Sequence, residues 1–108
     1  MIQKSDAKQS EKIVVQVDAD LEDIVPVFLE NRCGDIKAMS LALEQSDYET
    51  VRILGHTMKG VGGGYGFDAI TDMGQSIEQA AQNRDSEEIR KLKGELSTYL
   101  ERVEVVYE

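Results

Sequence analysis

The chain has 108 residues, a formal net charge of -9, 41% hydrophobic and 31% charged residues, one cysteine and one histidine. That length fits a single soluble domain with its own core. The lone Cys33 excludes an intrachain disulfide, and together with the lone His56 it excludes a cysteine cluster or a multi-histidine metal site. So acidic a chain is a poor partner for phosphate backbones or anionic membranes. It carries no Walker loop and no strand followed by G-x-G-x-x-G and a helix. Phosphate chemistry, if present, therefore depends on a partner that brings the phosphoryl group. The N-terminus lacks the apolar centre of a signal peptide. The longest apolar run, Ile24 to Leu29, is interrupted by Pro26 and falls far short of a membrane span. The expected compartment is the cytoplasm.

In chain order, residues 1–12 read as a flexible tail and 13–108 as one helical domain. Ile13 to Val17 is β-branched but short, an extended lead-in or a short extra helix. From about Asp20 to Gln45, Leu21, Ile24, Val25, Phe28, Leu29, Ile36, Met39 and Leu43 keep helical spacing. Pro26 and Gly34 interrupt it, so one kinked helix and two helices both remain open. Ser46-x-x-Glu49 matches a capping box ahead of a second helix, Tyr48 to about Gly64. A loop near Gly66 leads into a third helix, Asp68 to about Gln82. Asp85-x-x-Glu88 is a second capping signal, and the last helix carries Ile89, Leu92, Leu96, Tyr99, Leu100 and Val103. Val105 to Tyr107 are read as an extension of that helix rather than a strand beside Ile13 to Val17. The expected fold is all-α, an antiparallel up-down four-helix bundle.

The second helix holds the histidine. At about 100° per residue, with Leu54 at zero, Met58, Val61, Tyr65 and Val51 form an apolar stripe centred near about 20°. His56 then lies at about 200°, on the opposite face, beside Arg52, Lys59, Gly60 and Gly63. A histidine there is a solvent-facing group rather than a core one. Val61 and Tyr65 carry the stripe through the glycines Gly60, Gly62, Gly63 and Gly64. Glycine in a helix interior costs about 0.5–1 kcal/mol relative to alanine, a cost that suits a flat surface open to a partner's backbone. Lys59 sits one turn from His56, where an ammonium pairs with an anion attached to the ring. Ile53, at about 260°, is evenly balanced between a docking anchor and a contact with a neighbouring helix. Cys33 and the methionines are read as packing residues.

His56-Thr-Met-Lys59-Gly60 followed by Gly66 fits H-x-x-K-G-x-x-x-x-x-G, and at this point the sequence resembles a histidine-containing phosphotransfer (HPt) domain, here a stand-alone one. Phe28-Leu29, Ala42-Leu43 and Asp47 upstream, and Ile77-Glu78 with Ala80-Ala81 downstream, support the resemblance over roughly Leu21 to Val103. Val61, Gly62 and Gly63 depart from the Ser or Ala that the family often has there, though they remain mostly small. The resemblance implies a phosphorelay intermediate in two-component signalling. His56 accepts a phosphoryl group from an aspartyl phosphate on a receiver domain and passes it to another receiver. Lys59 stabilises the phosphate, Gly60 keeps the approach clear and Gly66 shapes the turn that ends the helix. Arg52, Ile53 and Gly63 are further docking candidates, Arg52 from the helical wheel alone. The implied partners are receiver domains of hybrid histidine kinases and of response regulators. No cofactor is expected in this chain, Mg²⁺ belonging to the partner receiver, and a monomer is expected.

Neutral imidazole is a competent nucleophile near neutral pH. Phosphoryl transfer rests on positioning and charge neutralisation, so no metal site or general base is required here. The chain is expected to be at most a carrier, without kinase or hydrolase activity of its own. The rival reading is a non-phosphorylated helical adaptor docking signalling proteins through the same face. A hydrolase needs a nucleophile and base in a cleft, which one histidine on a solvated face does not supply.

Overall fold

The computed structural model describes residues 11–108. The flexible tail expected over residues 1–12 therefore lies almost wholly outside the described residues. Among the described residues four helices make the body: α1 (Val25–Glu44), α2 (Tyr48–Gly62), α3 (Asp68–Gln82) and α4 (Ser86–Arg102). Two strands, β1 (Ile13–Val17) and β2 (Val103–Tyr107), complete it.

α1 is one helix, and Pro26 explains where it starts. The ring occupies the first turn, where no intrahelical hydrogen bond is lost and the fixed φ suits a helix. The residues before it form instead a short 3-10 turn, Ala19–Leu21, capped by Asp18, whose Oδ1 accepts from Asp20 N at 2.9 Å. Gly34 does not break α1. The buried side chains on either side of it, Val25, Phe28, Arg32, Met39, Ala42 and Leu43, keep one helical face against the core.

At the start of α2 the cap is Asp47, not Ser46: its carboxylate accepts from Thr50 N at 3.1 Å and from the Thr50 hydroxyl at 2.6 Å. Ser46 takes φ 54 instead and makes the turn. The Ser46-x-x-Glu49 box is thus displaced by one residue, because Asp47 offers the stronger, charged acceptor. The second signal stands as expected, with Asp85 accepting from Glu88 N at 3.1 Å at the head of α4.

Two expectations are corrected. α4 ends at Arg102, and Val103–Tyr107 pairs in parallel with Ile13–Val17, Ile13 opposite Val103 and Val17 opposite Tyr107. The four-helix body stands as expected, and the extended lead-in forms one strand of this terminal pair rather than a short extra helix. Val103, Val105 and Tyr107 alternate half-buried with exposed Glu104 and Val106, the period of a strand with one face covered. Cys33 is also exposed on α1 rather than packed.

The core runs between the helices, with Met39, Val51, Met58, Phe67, Ile70, Ile77, Ile89 and Leu96 wholly buried. Phe28 of α1 stacks on Tyr65 (ring centroids 4.4 Å apart) and on Phe67 (5.5 Å), which fixes the turn after α2 against α1. Gly66 takes φ +92 in that turn, a left-handed conformation open to glycine and rarely to other residues.

Candidate functional site

The site depends on how closely α2 and α3 approach. Gly55 and Gly74 face each other across that seam. A Cβ on Gly74 would lie 2.5 Å from Lys59 N and 2.7 Å from Gly55 O, and one on Gly55 would lie 2.7 Å from Glu78 N. Side chains of any size would hold the helices apart. With glycine at both positions the backbones touch, and Glu78, one turn beyond Gly74, is carried under the edge of α2.

This contact also turns α2. The apolar stripe read from the sequence has Val51 and Met58 fully buried, but Leu54, Val61 and Tyr65 only half-buried. Gly55 and Gly62 are buried instead. Their inclusion moves the centre of the buried face to about 70° on the wheel, so His56 lies about 130° from it rather than opposite. The histidine is still outside, with 63% of its side chain exposed. It stands on the flank nearest α3, where one ring nitrogen has a partner.

That partner is Glu78. Its Oε2 lies 3.1 Å from His56 Nδ1, and its Oε1 lies 3.0 Å from Lys59 Nζ. Glu78 is itself buried, with 9% of its surface accessible. The Lys59 ammonium, more than the His56 ring, holds its carboxyl below the usual glutamate range, against the opposing effect of burial. An ionised carboxylate only accepts hydrogen bonds, so Nδ1 must carry the proton of this bond. In the neutral ring, Nε2 is then the nitrogen with a free lone pair.

The backbone beyond Lys59 is held by α3 as well. The Thr71 hydroxyl donates to Lys59 O at 3.2 Å and accepts from Gly63 N at 2.8 Å. It stands between two groups that an uninterrupted helix would bond directly, and here the helix tightens into a 3-10 turn over Gly63–Tyr65. The glycine segment is thus helical, as the stripe predicts, but its glycines differ in role. Gly62 packs on α3, where a Cβ would lie 2.7 Å from Thr71 N. Gly60 has open space where a Cβ would be, so nothing among the described residues requires glycine there. Gly63 is exposed beside Thr71 and Asp68.

Arg52 does not join the cluster by hydrogen bond. Its guanidinium is paired in bidentate fashion with Glu49, one turn earlier, at 2.7 and 3.1 Å. Ile53 is half exposed and so is not a core contact with a neighbouring helix. The sequence had singled out Glu78 only as part of the Ile77-Glu78 stretch, without a role. The available signal was its place one turn after Gly74 on a helix of mostly small buried residues. Among the described residues, no group of three or more His, Cys, Asp or Glu side chains is arranged to hold a metal ion.

The family model described as Hpt domain matches residues 23–105. The chain belongs to the Hpt domain family. Hpt domains carry out histidine phosphotransfer in two-component phosphorelays, working with receiver domains. Neither the comparison with curated proteins nor that with solved structures returns a match. No helix among the described residues is long and apolar enough to cross a membrane.

Proposed function

We propose that this Hpt chain carries phosphoryl groups on His56 Nε2 between receiver domains. The observation that supports this most directly is the pairing of His56 Nδ1 with Glu78, which leaves Nε2 unprotonated in the neutral ring of a side chain that is 63% exposed. In the transfer, the Nε2 lone pair attacks the phosphorus of a receiver's aspartyl phosphate. The N–P bond forms, the P–O bond to the aspartate breaks, and the aspartate leaves as a carboxylate. The ring, still protonated at Nδ1, becomes cationic as this happens, and the adjacent Glu78 carboxylate compensates that charge. The second transfer reverses these steps on another receiver.

Lys59 is the candidate counter-charge for the phosphoryl oxygens. In the resting site it is tethered to Glu78, 3.0 Å away, and therefore stays beside the ring. Mg²⁺ and any further cation at the transferred group are supplied by the receiver. Gly60 and Gly63 keep the approach to the ring low, and exposed Ile53 offers an apolar contact beside it. On this reading the chain is at most a phosphotransfer carrier, and it works in the cytoplasm, where receivers act.

The test is transfer from a panel of purified, phosphorylated receiver domains, read as mass gain and acid lability. His56 is the only histidine in the chain, so His56→Gln is a clean control. Acid-labile phosphate on wild type alone is the expected result. Equal binding of unphosphorylated receivers by wild type and His56→Gln, with no transfer from any active donor, would replace the carrier by the adaptor.

A further inference from the structure

A phosphoryl group on His56 upsets the charge balance of the site. In the resting cluster the Lys59 ammonium, 3.0 Å away, offsets the Glu78 carboxylate, and the neutral ring adds no charge. A phosphoryl group on Nε2 brings about two negative charges. The ring, still protonated at Nδ1, gains only a single positive charge. The phosphorylated cluster therefore carries a net negative charge. Lys59 cannot cancel it alone, because its ammonium is already what chiefly keeps the buried Glu78 carboxyl ionised. While a receiver is docked, its own cations meet this charge. Once the receiver leaves, the residues of this chain must do so.

The two helices that build the site offer one further cation. α2 carries Arg52 besides Lys59, and α3 carries no lysine or arginine. Arg52 stands four residues before His56, directly beneath it on the helix surface. Helical side chains lean toward the N-terminus, so a group on the His56 ring is carried toward the turn of Arg52. Lys59 reaches the ring from the opposite side. The Arg52 guanidinium is held protonated more firmly than usual, by Glu49 first and also by the charge of Glu78, so it lies within the field of the cluster. Its present partner is easily exchanged. The Arg52–Glu49 pair is at the surface, with side chains 34% and 67% exposed, and such pairs contribute little. Arg52 also borders an open recess of about 410 Å³ beside Gln82 and Arg84, which leaves it room to swing. A phosphoryl dianion accepts the same bidentate fork as the Glu49 carboxylate and carries more charge.

We propose that Arg52 leaves Glu49 when His56 is phosphorylated and binds the phosphoryl oxygens, which are then held between Arg52 and Lys59. Glu49 parks the guanidinium in the resting state and competes for it afterwards. The proposal rests on the phosphorelay reading only in taking His56 as the phosphoacceptor; no receiver takes part in it. Loss of the phosphoryl group to water passes through a loose, metaphosphate-like state with less charge on the oxygens than the bound group has. A cation on those oxygens holds the bound group more strongly than that state, so Arg52 lengthens the life of the phosphorylated carrier.

The test uses phosphoramidate as the donor, so that no receiver is needed. Nε2 attacks its phosphorus, the N–P bond of the donor breaks, and ammonia leaves from a nitrogen that is already protonated. After the donor is removed, the decay of the phosphorylated form at neutral pH is followed by intact mass. Arg52→Gln should shorten the lifetime by about 2–5-fold, as loss of an exposed ion pair implies, and Arg52→Lys should restore part of it. Glu49→Gln should lengthen the lifetime, because Arg52 is then free. Glu49 stands two turns from His56, about 10 Å along the axis, where its own charge is largely screened. The effect of Glu49→Gln should therefore vanish in the Arg52→Gln background. In ¹⁵N-labelled wild type the Arg52 Nε–Hε resonance, assigned by its absence from Arg52→Lys, should move on phosphorylation. Equal lifetimes for wild type and Arg52→Gln, a Glu49→Gln effect that persists without Arg52, or an unmoved Arg52 resonance overturns the proposal and leaves His56 as the acceptor. Wild type left unlabelled where free imidazole is phosphorylated removes the acceptor itself, and the carrier reading falls with the proposal.

Discussion

Replacing Gly74 by alanine tests the seam on which the site depends. The added Cβ would lie 2.5 Å from Lys59 N, 2.7 Å from Gly55 O and 2.7 Å from Met58 Cβ, where ordinary contact begins at 3.4 Å. These are backbone atoms and a Cβ, so no side chain can swing away. α2 and α3 must separate by about 1 Å, and overpacking of this kind costs about 1–3 kcal/mol. The upper end applies here because three contacts are short at once. Alanine recovers about 1 kcal/mol of helix propensity, which leaves a net loss of about 2 kcal/mol. For a domain of this size the thermal midpoint should fall by about 8–16 °C. Gly34→Ala and Gly94→Ala are the controls. Both lie within helices with open space around the added carbon, so each should raise the midpoint by about 4–8 °C. The same substitution thus changes sign with position. Separation of the helices should also lengthen the Glu78 contacts to His56 and Lys59 and slow phosphotransfer. A Gly74→Ala protein as stable as wild type, or more stable, would refute the reasoning.

Further outcomes follow from the site. His56→Gln should abolish phosphate acceptance and leave the circular dichroism spectrum and thermal midpoint near wild type, since the side chain is 63% exposed; loss of helical signal would contradict the placement. Lys59→Ala should slow transfer or shorten the lifetime of the phosphorylated form, read from single-turnover kinetics, and unchanged kinetics would remove Lys59 from the role assigned to it. Glu78→Gln should lower the transfer rate more than it lowers stability near neutral pH, because the amide keeps the shape but loses the counter-charge to the ring. Glu78 also sets a pH dependence. Its carboxyl is held below its ordinary value of 4.5, chiefly by Lys59. Its contribution to stability is therefore present above the unfolded-state value and is lost as pH falls through the lower folded-state value. Acid melts should show Glu78→Gln losing less stability than wild type across that window; parallel curves would refute the linkage.

The helices were legible because each carries its own periodicity and its own start signal. The helix read as Asp68 to about Gln82 is observed as Asp68–Gln82, and Asp85 caps α4 as its sequence signal requires. The α1 start was less legible because Pro26 is compatible with a kink or with a first turn, and only the buried face beginning at Val25 separates the two. The β1–β2 pairing left no local trace. Its strands come from opposite ends of the described chain, and Val103 continues the i, i+3, i+4 spacing of Leu96, Tyr99 and Leu100 as well as it begins a strand. Helical phase and strand alternation coincide there, and contact with β1 decides between them.

The sequence by itself determined that one histidine lies on the outer face of an amphipathic helix, with a lysine one turn on and glycines around it. That follows from helical geometry, which needs no knowledge of neighbouring elements. The tertiary structure decided the rest of the site. A glycine counts for little in a hydrophobic stripe, yet Gly55 and Gly74 mark where two backbones meet most closely. That contact rotates α2 toward α3 and brings Glu78 to both His56 and Lys59. Which ring nitrogen stays free is thus set by a residue on another helix, through a packing distance that hydrophobic patterning along α2 cannot record.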